Sequence, residues 1–403
     1  MINEFNLQEE FEGLDFKSKR LEERFKKTIE KLSEKPDQSI WLASGSRSEA
    51  KAVYRMLGND KTNDREVLRV HRESTKKRLS KNPVILAVQD TMGVNYHGHK
   101  KTEGMGYNCE QTLGINVHSC LAVTPEGLVL GLLEQKSYTR PERKDDSASH
   151  DKKKLRPIEE KESFRWLKTM ETSTKDMPEG VKIIHICDRE GDMYELFEKA
   201  LKTSQSFLIR VVHNRMTMDN EKVIDAIKKE KPIGEAKVII PRDSRKNIKE
   251  RNALLEVSYK NFDIKKSKVR AGSKHLSPCV NMNVIYIKEK QKDKSIEPIE
   301  WILATNEPIE SVEDALEMVG YYIQRWKIER FHYTLKSGCK IEKIQERSVE
   351  KIFLLIMMYS IISARILHIT YLARVCPDEE CSIILNDEEW KLLYCVANKK
   401  NRT

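Results

Sequence analysis

Four polar residues of types that bind phosphate or metal recur at helical offsets in the segment YIQRWKIERFHYTLK. Tyr322, Arg325, Glu329 and Lys336 stand at offsets 0, 3, 7 and 14 of this segment. On an α-helix that turns by about 100° per residue they project into an arc of about 60°. The rest of the circumference is largely apolar, which predicts a polar stripe on a mostly buried helix. A plain i,i+4 ion pair between Arg325 and Glu329 is the structural alternative.

Two apolar segments upstream each end in an aspartate. PVILAVQD ends at Asp90 and VKIIHICD ends at Asp188. A carboxylate at the end of a buried strand is held rigidly at the edge of a sheet, where α/β folds bind their ligands. Each aspartate alone also fits ordinary turn chemistry. The neighbouring Glu190 and Asp192 are interpreted as secondary to Asp188.

Asp90, Asp188 and Glu329 together would form an all-oxygen ligand set. Such a set selects Mg²⁺ or Mn²⁺ over zinc. Two ions about 4 Å apart activate a water or a 3′-hydroxyl and stabilise the leaving oxygen in phosphoryl transfer. Arg325 and Lys336 would then grip phosphates near the cut. The sequence therefore predicts a catalytic site with two Mg²⁺ ions, or Mn²⁺ in their place, and a hydrogen bond from Tyr322 to a phosphate.

The charge of the chain favours a polyanionic partner. Its 403 residues include 73 Lys and Arg against 63 Asp and Glu, which gives a net charge of +10. DNA suits this balance, although ribosomal and membrane-surface proteins share it. The segment SRSEAKAVYRML predicts a helix with Arg47, Lys51 and Arg55 on one face, which either contacts a DNA groove or is an ordinary solvated face. Three other residues of this helix are left to pack elsewhere: Ala52, Tyr54 and Leu57.

The order of apolar segments predicts an α/β protein. Strand-like VILAVQD, INVHSCLAV and LVLGLLEQ precede helix-like KESFRWLKTM, strand VKIIHIC, a helix at 193–201 and strand FLIRVV. This β-β-β-α-β-α-β order describes a mixed sheet with helices on its faces. We expect five regions: a helical DNA-binding domain at 1–80, the first part of the core at 81–213, an inserted antiparallel β subdomain at 214–308, completion of the core with the glutamate helix at 309–345, and a helical region at 346–403.

No segment predicts export or membrane insertion. The N-terminal stretch MINEFNLQEEFEGLDFKSKR has no apolar h-region. The longest apolar run, IFLLIMMYSIIS at 352–363, is too short to span a bilayer and predicts a buried core helix. The eight cysteines include no CxxC pair, which favours reduced thiols over zinc ligands. We therefore expect a cytoplasmic protein.

These motifs resemble those of the DDE transposases of the insertion-sequence-four family, the group that contains the transposon-five transposase. The resemblance runs from about residue 14 to about residue 398. It rests on AVQDT, on CDREGDMYEL and on the signature Y-x2-R-x3-E-x6-K at Tyr322, Arg325, Glu329 and Lys336. It implies an RNase H-like core, a β insertion between the second aspartate and the glutamate, and an N-terminal helical domain that recognises transposon ends.

The resemblance also implies a mechanism and further DNA contacts. Nicking frees a 3′-hydroxyl that forms a hairpin, and hairpin hydrolysis and strand transfer follow. Trp301 in IEWILAT occupies the place of a tryptophan that stacks near a flipped base, with a core tryptophan as the alternative. Arg210 and Arg55 match family residues that contact DNA. The implied partners are the terminal inverted repeats, the target DNA and a second protomer in a homodimeric synaptic complex at the bacterial nucleoid.

Two other functions compete with this interpretation. A metal-dependent nuclease on the same fold is the competitor within the chemistry. A non-catalytic or truncated DNA-binding protein derived from a transposase is the competitor outside it. The presence of Asp90, Asp188 and Glu329 favours an active enzyme.

Overall fold

The chain begins with a set of helices and continues into a large mixed sheet. The computed structural model describes residues 5–98, 100–142, 156–240, 250–267, 276–290, 298–385 and 387–398. The helices of the N-terminal region are α1 (Leu7–Glu10), α2 (Lys19–Glu34), α3 (Ile40–Ser44), α4 (Arg47–Leu57) and α5 (Asp64–Leu79). The helical N-terminal region expected from the sequence is therefore present.

Local capping and apolar spacing explain where these helices form. Ser46 accepts a hydrogen bond from the Glu49 amide at 3.3 Å and starts α4 where the sequence predicts it. In α2, Phe25, Ile29 and Leu32 are buried, as their helical spacing predicts.

The buried face of α4 differs from the expected one. Ala50, Val53, Met56 and Leu57 are buried, whereas Tyr54 is exposed. The four buried residues recur every three or four positions and so form one apolar stripe. Of the three residues expected to pack elsewhere, Leu57 is buried and Ala52 is half-buried, whereas Tyr54 is exposed because its position falls outside this stripe.

One strand, β1, organises the first half of the sheet. The first six strands are β1 (Val84–Asn95), β2 (Gly106–Tyr107), β3 (Leu113–Val123), β4 (Val129–Tyr138), β5 (Lys182–Cys187) and β6 (Ser206–Arg210). β1 pairs antiparallel with β3 and parallel with β5, while β4 pairs with β3 and β6 pairs with β5. The mixed α/β sheet and its predicted element order are confirmed, with the short β2 as an addition.

The strands of the expected insertion extend this same sheet. They are β7 (Gly234–Ile240), β8 (Arg251–Lys265), β9 (Cys279–Glu289) and β10 (Glu300–Thr305). They pair antiparallel with one another, as predicted. However, β10 also pairs with β6, with Leu303 opposite Arg210, so the described strands form one sheet of ten. Apolar alternation indicates which face of a strand is buried but not which edge it joins.

Seven further α-helices of the described residues pack around or follow the sheet. They are α6 (Phe164–Ser173), α7 (Tyr194–Lys202), α8 (Val223–Ile227), α9 (Val312–Ile323), α10 (Trp326–Tyr333), α11 (Val349–Val375) and α12 (Asp387–Ala397). By length and composition α11 could cross a membrane, with a mean hydropathy of 2.0, but 78% of that stretch is buried inside the protein. It packs against β4 and α5. The core helix predicted at 352–363 lies in the N-terminal half of α11.

A buried ionic cluster joins the N-terminal helices to the sheet. Arg78 of α5 donates two hydrogen bonds to Glu10 of α1, Nη1 to Oε2 at 2.6 Å and Nη2 to Oε1 at 2.9 Å. His71 Nδ1 lies 2.5 Å from Glu10 Oε1, and His71 Nε2 accepts a hydrogen bond from the Leu132 amide at 2.9 Å. Arg78 Nε donates to the Leu130 carbonyl at 2.6 Å. Since Leu130 and Leu132 belong to β4, this Glu10 cluster (Glu10, His71 and Arg78) connects α1, α5 and the sheet.

Candidate active site

Asp90 and Asp188 lie on neighbouring parallel strands. Val88 of β1 is opposite Ile186 of β5 in the last pair between these strands, and Asp90 and Asp188 each follow that pair by two residues, close enough for the charge of Asp188 to act on Asp90. β5 ends one residue before Asp188, whereas β1 continues past Asp90 and stays paired with β3 alone. The prediction that Asp90 ends its strand was therefore wrong. Asp90 lies instead at the point where β1 loses its parallel neighbour.

Backbone amides orient both carboxylates. Asp90 Oδ1 accepts a hydrogen bond from the Thr91 amide at 2.7 Å. Asp188 Oδ1 accepts one from the Glu190 amide at 2.8 Å and so caps the short 3₁₀ helix Arg189–Gly191. Each of the two side chains is therefore held by a hydrogen bond to one of its own carboxylate oxygens.

The two carboxylates repel each other in a partly desolvated position. Burial and the charge of Asp188 raise the pKa of Asp90 to about 7, against the opposing effects of the Thr91 amide and Arg325. Perturbed carboxylates of this kind concentrate at functional sites. A cation at this position would relieve the repulsion.

Glu329 reaches the same region on α10. Its Oε1 accepts a hydrogen bond from Arg325 Nη2 at 2.7 Å. His332, one turn further along α10, places Nδ1 at 3.9 Å from Asp90 Oδ2. Because residues three apart share a helix face, the face that carries Glu329 is turned toward Asp90.

The four signature residues do not lie on one regular helix. Tyr322 is in α9, Arg325 lies between α9 and α10, Glu329 is in α10, and Lys336 is in the π-helical turn Thr334–Gly338. The amide of Arg325 donates to the Tyr322 carbonyl at 3.0 Å, three residues back, which tightens the helix there. The single uniform helix predicted for this segment was wrong, because a tight turn and a π-helical turn interrupt it.

Aromatic packing holds Tyr322 and Arg325. Tyr322 is 3% exposed, and the Trp301 ring packs edge-on against it with centroids 5.3 Å apart. Burial raises the pKa of Tyr322 to about 12. The Arg325 guanidinium lies 5.9 Å from the Tyr322 ring and 5.5 Å from the Trp326 ring. Trp301 therefore adjoins the signature residues, and its stacking on a DNA base stays a prediction.

Arg210 and Lys336 lie partly exposed near this region. Arg210 is the last residue of β6, beside β5, and its Nη2 donates to the Glu300 carbonyl at 3.5 Å. Lys336 Nζ is 3.8 Å from Glu342 Oε1. Their contacts with DNA stay predictions.

A hydrogen-bonded group behind the aspartates was missed by the sequence analysis. Thr91 Oγ1 accepts from Arg165 Nε at 2.9 Å and lies 2.8 Å from His118 Nδ1. Arg165 Nη2 donates to Glu190 Oε2 at 2.6 Å. Thr91 and Glu190 stand inside the motifs AVQDT and CDREGD, so their position next to the aspartates was a usable signal. Arg165 and His118 carry no such signal, because they come from α6 and β3.

Asp192 has a structural role. Its Oδ2 accepts hydrogen bonds from the amides of Val212 and His213 at 2.7 and 2.8 Å. Its Oδ1 pairs with Arg215. Because these partners occupy both oxygens, Asp192 is not free to act as a ligand beside Asp188.

The carboxylates fit a hard cation by chemistry but are not gathered as a finished metal site. In the described part of the chain, no group of three His, Cys, Asp or Glu side chains stands close enough to hold a metal ion. Asp90 and Asp188 are neighbours, while Glu329 is held by Arg325. A carboxylate pair in which a neighbouring charge raises the pKa of Asp90 is a donor set that suits Mg²⁺ or Mn²⁺.

The basic residues of α4 are available to a partner. Arg47, Lys51 and Arg55 are all exposed. Tyr54, on the same helix, is 39% exposed. This region is a basic surface on the N-terminal helices.

Comparison with protein families decides the assignment of the chain. A family model described as "Transposase DDE domain" matches residues 162–364. The chain belongs to the DDE transposases. A second family model, "Transposase DNA-binding", matches residues 5–62 of this transposase.

The two matched regions divide the candidate residues. The DDE match contains Asp188 and Glu329, and the DNA-binding match contains α4 with its basic residues. Asp90 lies between the two matches. Its assignment therefore depends on the strand register that places it beside Asp188.

The fold of the chain is also similar to that of a solved structure. The transposase is similar to a piggyBac transposase determined by cryo-electron microscopy in a synaptic complex with hairpin DNA. The sequences are 11% identical, with a TM-score of 0.41, and the similarity covers 91% of this chain. This chain spans 66% of the length of that relative.

Proposed function

We propose that this DDE transposase catalyses cut-and-paste transposition of a DNA element by metal-dependent phosphoryl transfer. One observation carries the proposal: the register of β1 and β5 sets Asp90 beside Asp188, where α10 brings the face of Glu329 and His332 to Asp90. The family matches to a DNA-binding and a DDE domain support it. The alternative is a non-catalytic or truncated DNA-binding protein derived from a transposase.

The three carboxylates would hold Mg²⁺ or Mn²⁺. Bound there, two such ions would activate the attacking water or 3′-hydroxyl and stabilise the leaving oxygen. The protein fixes Asp90 and Asp188 through backbone amides and orients Glu329 through Arg325. Asp90 must lose its proton to become a ligand, and a bound cation would favour that loss by offsetting the charge of Asp188, which raises the pKa of Asp90.

The remaining candidate residues divide into positioning and DNA-contacting groups. Tyr322 and Arg325 were expected to contact phosphates, but they are enclosed by aromatic rings and by Glu329, so we assign them instead to holding the glutamate. Lys336 and Arg210 are partly exposed and are assigned to phosphate contacts. Trp301 is assigned to stacking on a flipped base beside the site.

We further infer an RNase H-like core and membership of the insertion-sequence-four group. Support comes from the strand order β4, β3, β1, β5, β6, in which β5 is parallel to β1 and β6 is parallel to β5. The Y-x2-R-x3-E-x6-K signature supports the group. The hairpin route, terminal inverted repeats as substrate, a homodimeric synaptic complex and action at the nucleoid in the cytoplasm belong to the same proposal.

The deciding experiment incubates the purified full chain with linear DNA that carries the element's own ends, in Mg²⁺ and separately in EDTA. We expect nicks at the ends, hairpinned ends and excised element in Mg²⁺, and binding alone in EDTA. End binding without any cleavage in Mg²⁺ or Mn²⁺ would establish the non-catalytic alternative. Nicking without hairpins would remove only the hairpin route.

The basic face of α4 has a separate test. Replacing Arg47, Lys51 and Arg55 together by alanine should weaken end binding. It should also lower the slope of log affinity against log salt by about 1 for each DNA phosphate that the variant no longer neutralises. The fold should persist because all three side chains are exposed. Binding is measured over a series of salt concentrations, with thermal unfolding in parallel.

A matched control removes the same number of positive charges from another helix of the same region. Lys19, Arg20 and Lys27 are exposed residues of α2. Their replacement by alanine should change the salt slope less than the α4 substitutions do. Equal slopes for the two triple variants would mean that α4 is not the DNA-contacting helix.

A further inference from the structure

Arg165 of α6 contacts three separate segments with one guanidinium. Nε donates to Thr91 Oγ1 at 2.9 Å, Nη2 donates to Glu190 Oε2 at 2.6 Å, and Nη1 donates to the Glu162 carbonyl at 3.1 Å. The side chain of Arg165 is only 13% exposed. All three nitrogens of the guanidinium therefore donate to acceptors, and the side chain is largely enclosed.

Two of these partners are sequence neighbours of the catalytic aspartates. Thr91 follows Asp90 and donates its amide hydrogen to Asp90 Oδ1. Glu190 lies two residues after Asp188 and donates its amide hydrogen to Asp188 Oδ1. Arg165 thus joins the two residues whose backbones orient the two carboxylates.

The Thr91 hydroxyl is held from a second side as well. Thr91 Oγ1 lies 2.8 Å from His118 Nδ1 on β3. The His118 ring packs edge-on against Trp166 with centroids 4.8 Å apart. Because Trp166 follows Arg165 on α6, the helix contacts the Thr91 region through both residues.

We propose that Arg165 is a positioning residue whose guanidinium holds Thr91 and Glu190 together and so fixes the spacing of Asp90 and Asp188 for cation binding. The inference rests on the proposed catalytic role of the two aspartates. Two adjacent carboxylates repel each other, and the cost of holding them together must be met by fixed contacts. The planar fork of arginine can bond two acceptors at once, whereas the single ammonium of lysine cannot keep the same geometry.

If Arg165 only anchored α6, its replacement would affect Mn²⁺ binding through its charge alone. Arg165→Lys keeps the positive charge but loses the fork, and Arg165→Gln removes the charge. On Coulomb grounds alone, removing a positive charge should strengthen Mn²⁺ binding at nearby carboxylates. Loss of positioning should weaken it. The sign of the change in the Arg165→Gln variant therefore separates the two effects.

The test measures Mn²⁺ binding to the full chain by electron paramagnetic resonance, without DNA. We expect both variants to need about 10–100-fold more Mn²⁺ for half-saturation, the usual effect of losing a group that orients metal ligands. Cleavage of end DNA should shift to higher Mg²⁺ by a similar factor, while end binding in EDTA stays unchanged and thermal melting shows each variant folded at the assay temperature, despite the stability lost with the Arg165 contacts. Lys168→Ala is the matched control, since Lys168 is exposed on the same helix and pairs only loosely with Glu171 at 3.4 Å.

Distinct outcomes separate this inference from the proposed function. Wild-type Mn²⁺ affinity in both Arg165 variants would overturn the positioning role and leave transposition standing. A wild-type chain that binds Mn²⁺ but does not cut DNA would overturn transposition. Weakened Mn²⁺ binding in Arg165→Lys, in a variant that melting shows to be folded at the assay temperature, would support positioning in either case.

Discussion

Glu329→Gln should leave end binding intact and slow strand cleavage by roughly a thousand-fold or more, equivalent to about 4 kcal/mol in the barrier. The amide keeps the shape of the carboxylate and still offers an oxygen to Arg325, which donates to Glu329 at 2.7 Å. The arrangement of α10 should therefore survive. The charge that would face a cation is lost. Single-turnover cleavage in Mg²⁺ measures the effect, with end binding measured in EDTA.

The control for this substitution makes the same chemical change on a neighbouring helix. Glu313 is exposed in the first turn of α9. Glu313→Gln should cut at the wild-type rate. If Glu329→Gln also cut at that rate, the Arg325–Glu329 contact would be a plain structural ion pair and Glu329 would not be a ligand.

The aspartate positions were predictable because local patterns determine them. An apolar run marks a buried strand, and neighbouring parallel strands bring equivalent positions together, as Asp90 and Asp188 illustrate. The continuation of β1 past Asp90 was not predictable, because it depends on pairing with β3 farther along the chain. Arg165 and Thr91 are 74 residues apart, so no local pattern links them.

Irregular helical turns and the choice of strand edge are the features that could not be predicted from the sequence. The residue types in the signature predict a polar stripe, but the spacing of those residues carries no signal for the break in the helix at Arg325 or for the π-helical turn at Lys336. The strand types of the insertion were predictable from alternation. Pairing of β10 with β6 was not, since either edge of a strand can accept a partner.

Contacts across the molecule link the DNA-binding region to the catalytic region. The Glu10 cluster connects α1 and α5 to β4. Lys340, just after the π-helical turn, donates to Asp37 between α2 and α3 at 2.9 Å. A buried ion pair holds two segments together more firmly than an exposed one, because no water is available to replace either partner. The Glu10 cluster is therefore the contact to test.

Glu10→Gln should lower the free energy of unfolding by about 3–5 kcal/mol, the usual cost of removing one partner of a buried ion pair. Glu10 is 1% exposed and Arg78 is 5% exposed, so the substitution leaves a guanidinium buried without its counter-charge. Urea unfolding measures the change. Glu9→Gln is the control, because Glu9 is the exposed neighbour in the same helix. A decrease below about 1 kcal/mol would mean that the cluster does not hold α1 to the sheet.

Acid should remove the same stabilisation from the wild-type protein. Burial alone would raise the pKa of Glu10, but His71 and Arg78 outweigh it and lower the pKa from 4.5 to about 2. A carboxyl with a lowered folded pKa contributes stability above its unfolded value and loses it as pH falls from about 4.5 toward 2. Burial also lowers the pKa of His71, so protonation of that ring in the unfolded chain adds to acid sensitivity below about 6.5. The wild type should therefore lose stability more steeply than Glu10→Gln between pH 4.5 and 2, and equal slopes would show that the Glu10 charge stabilises nothing.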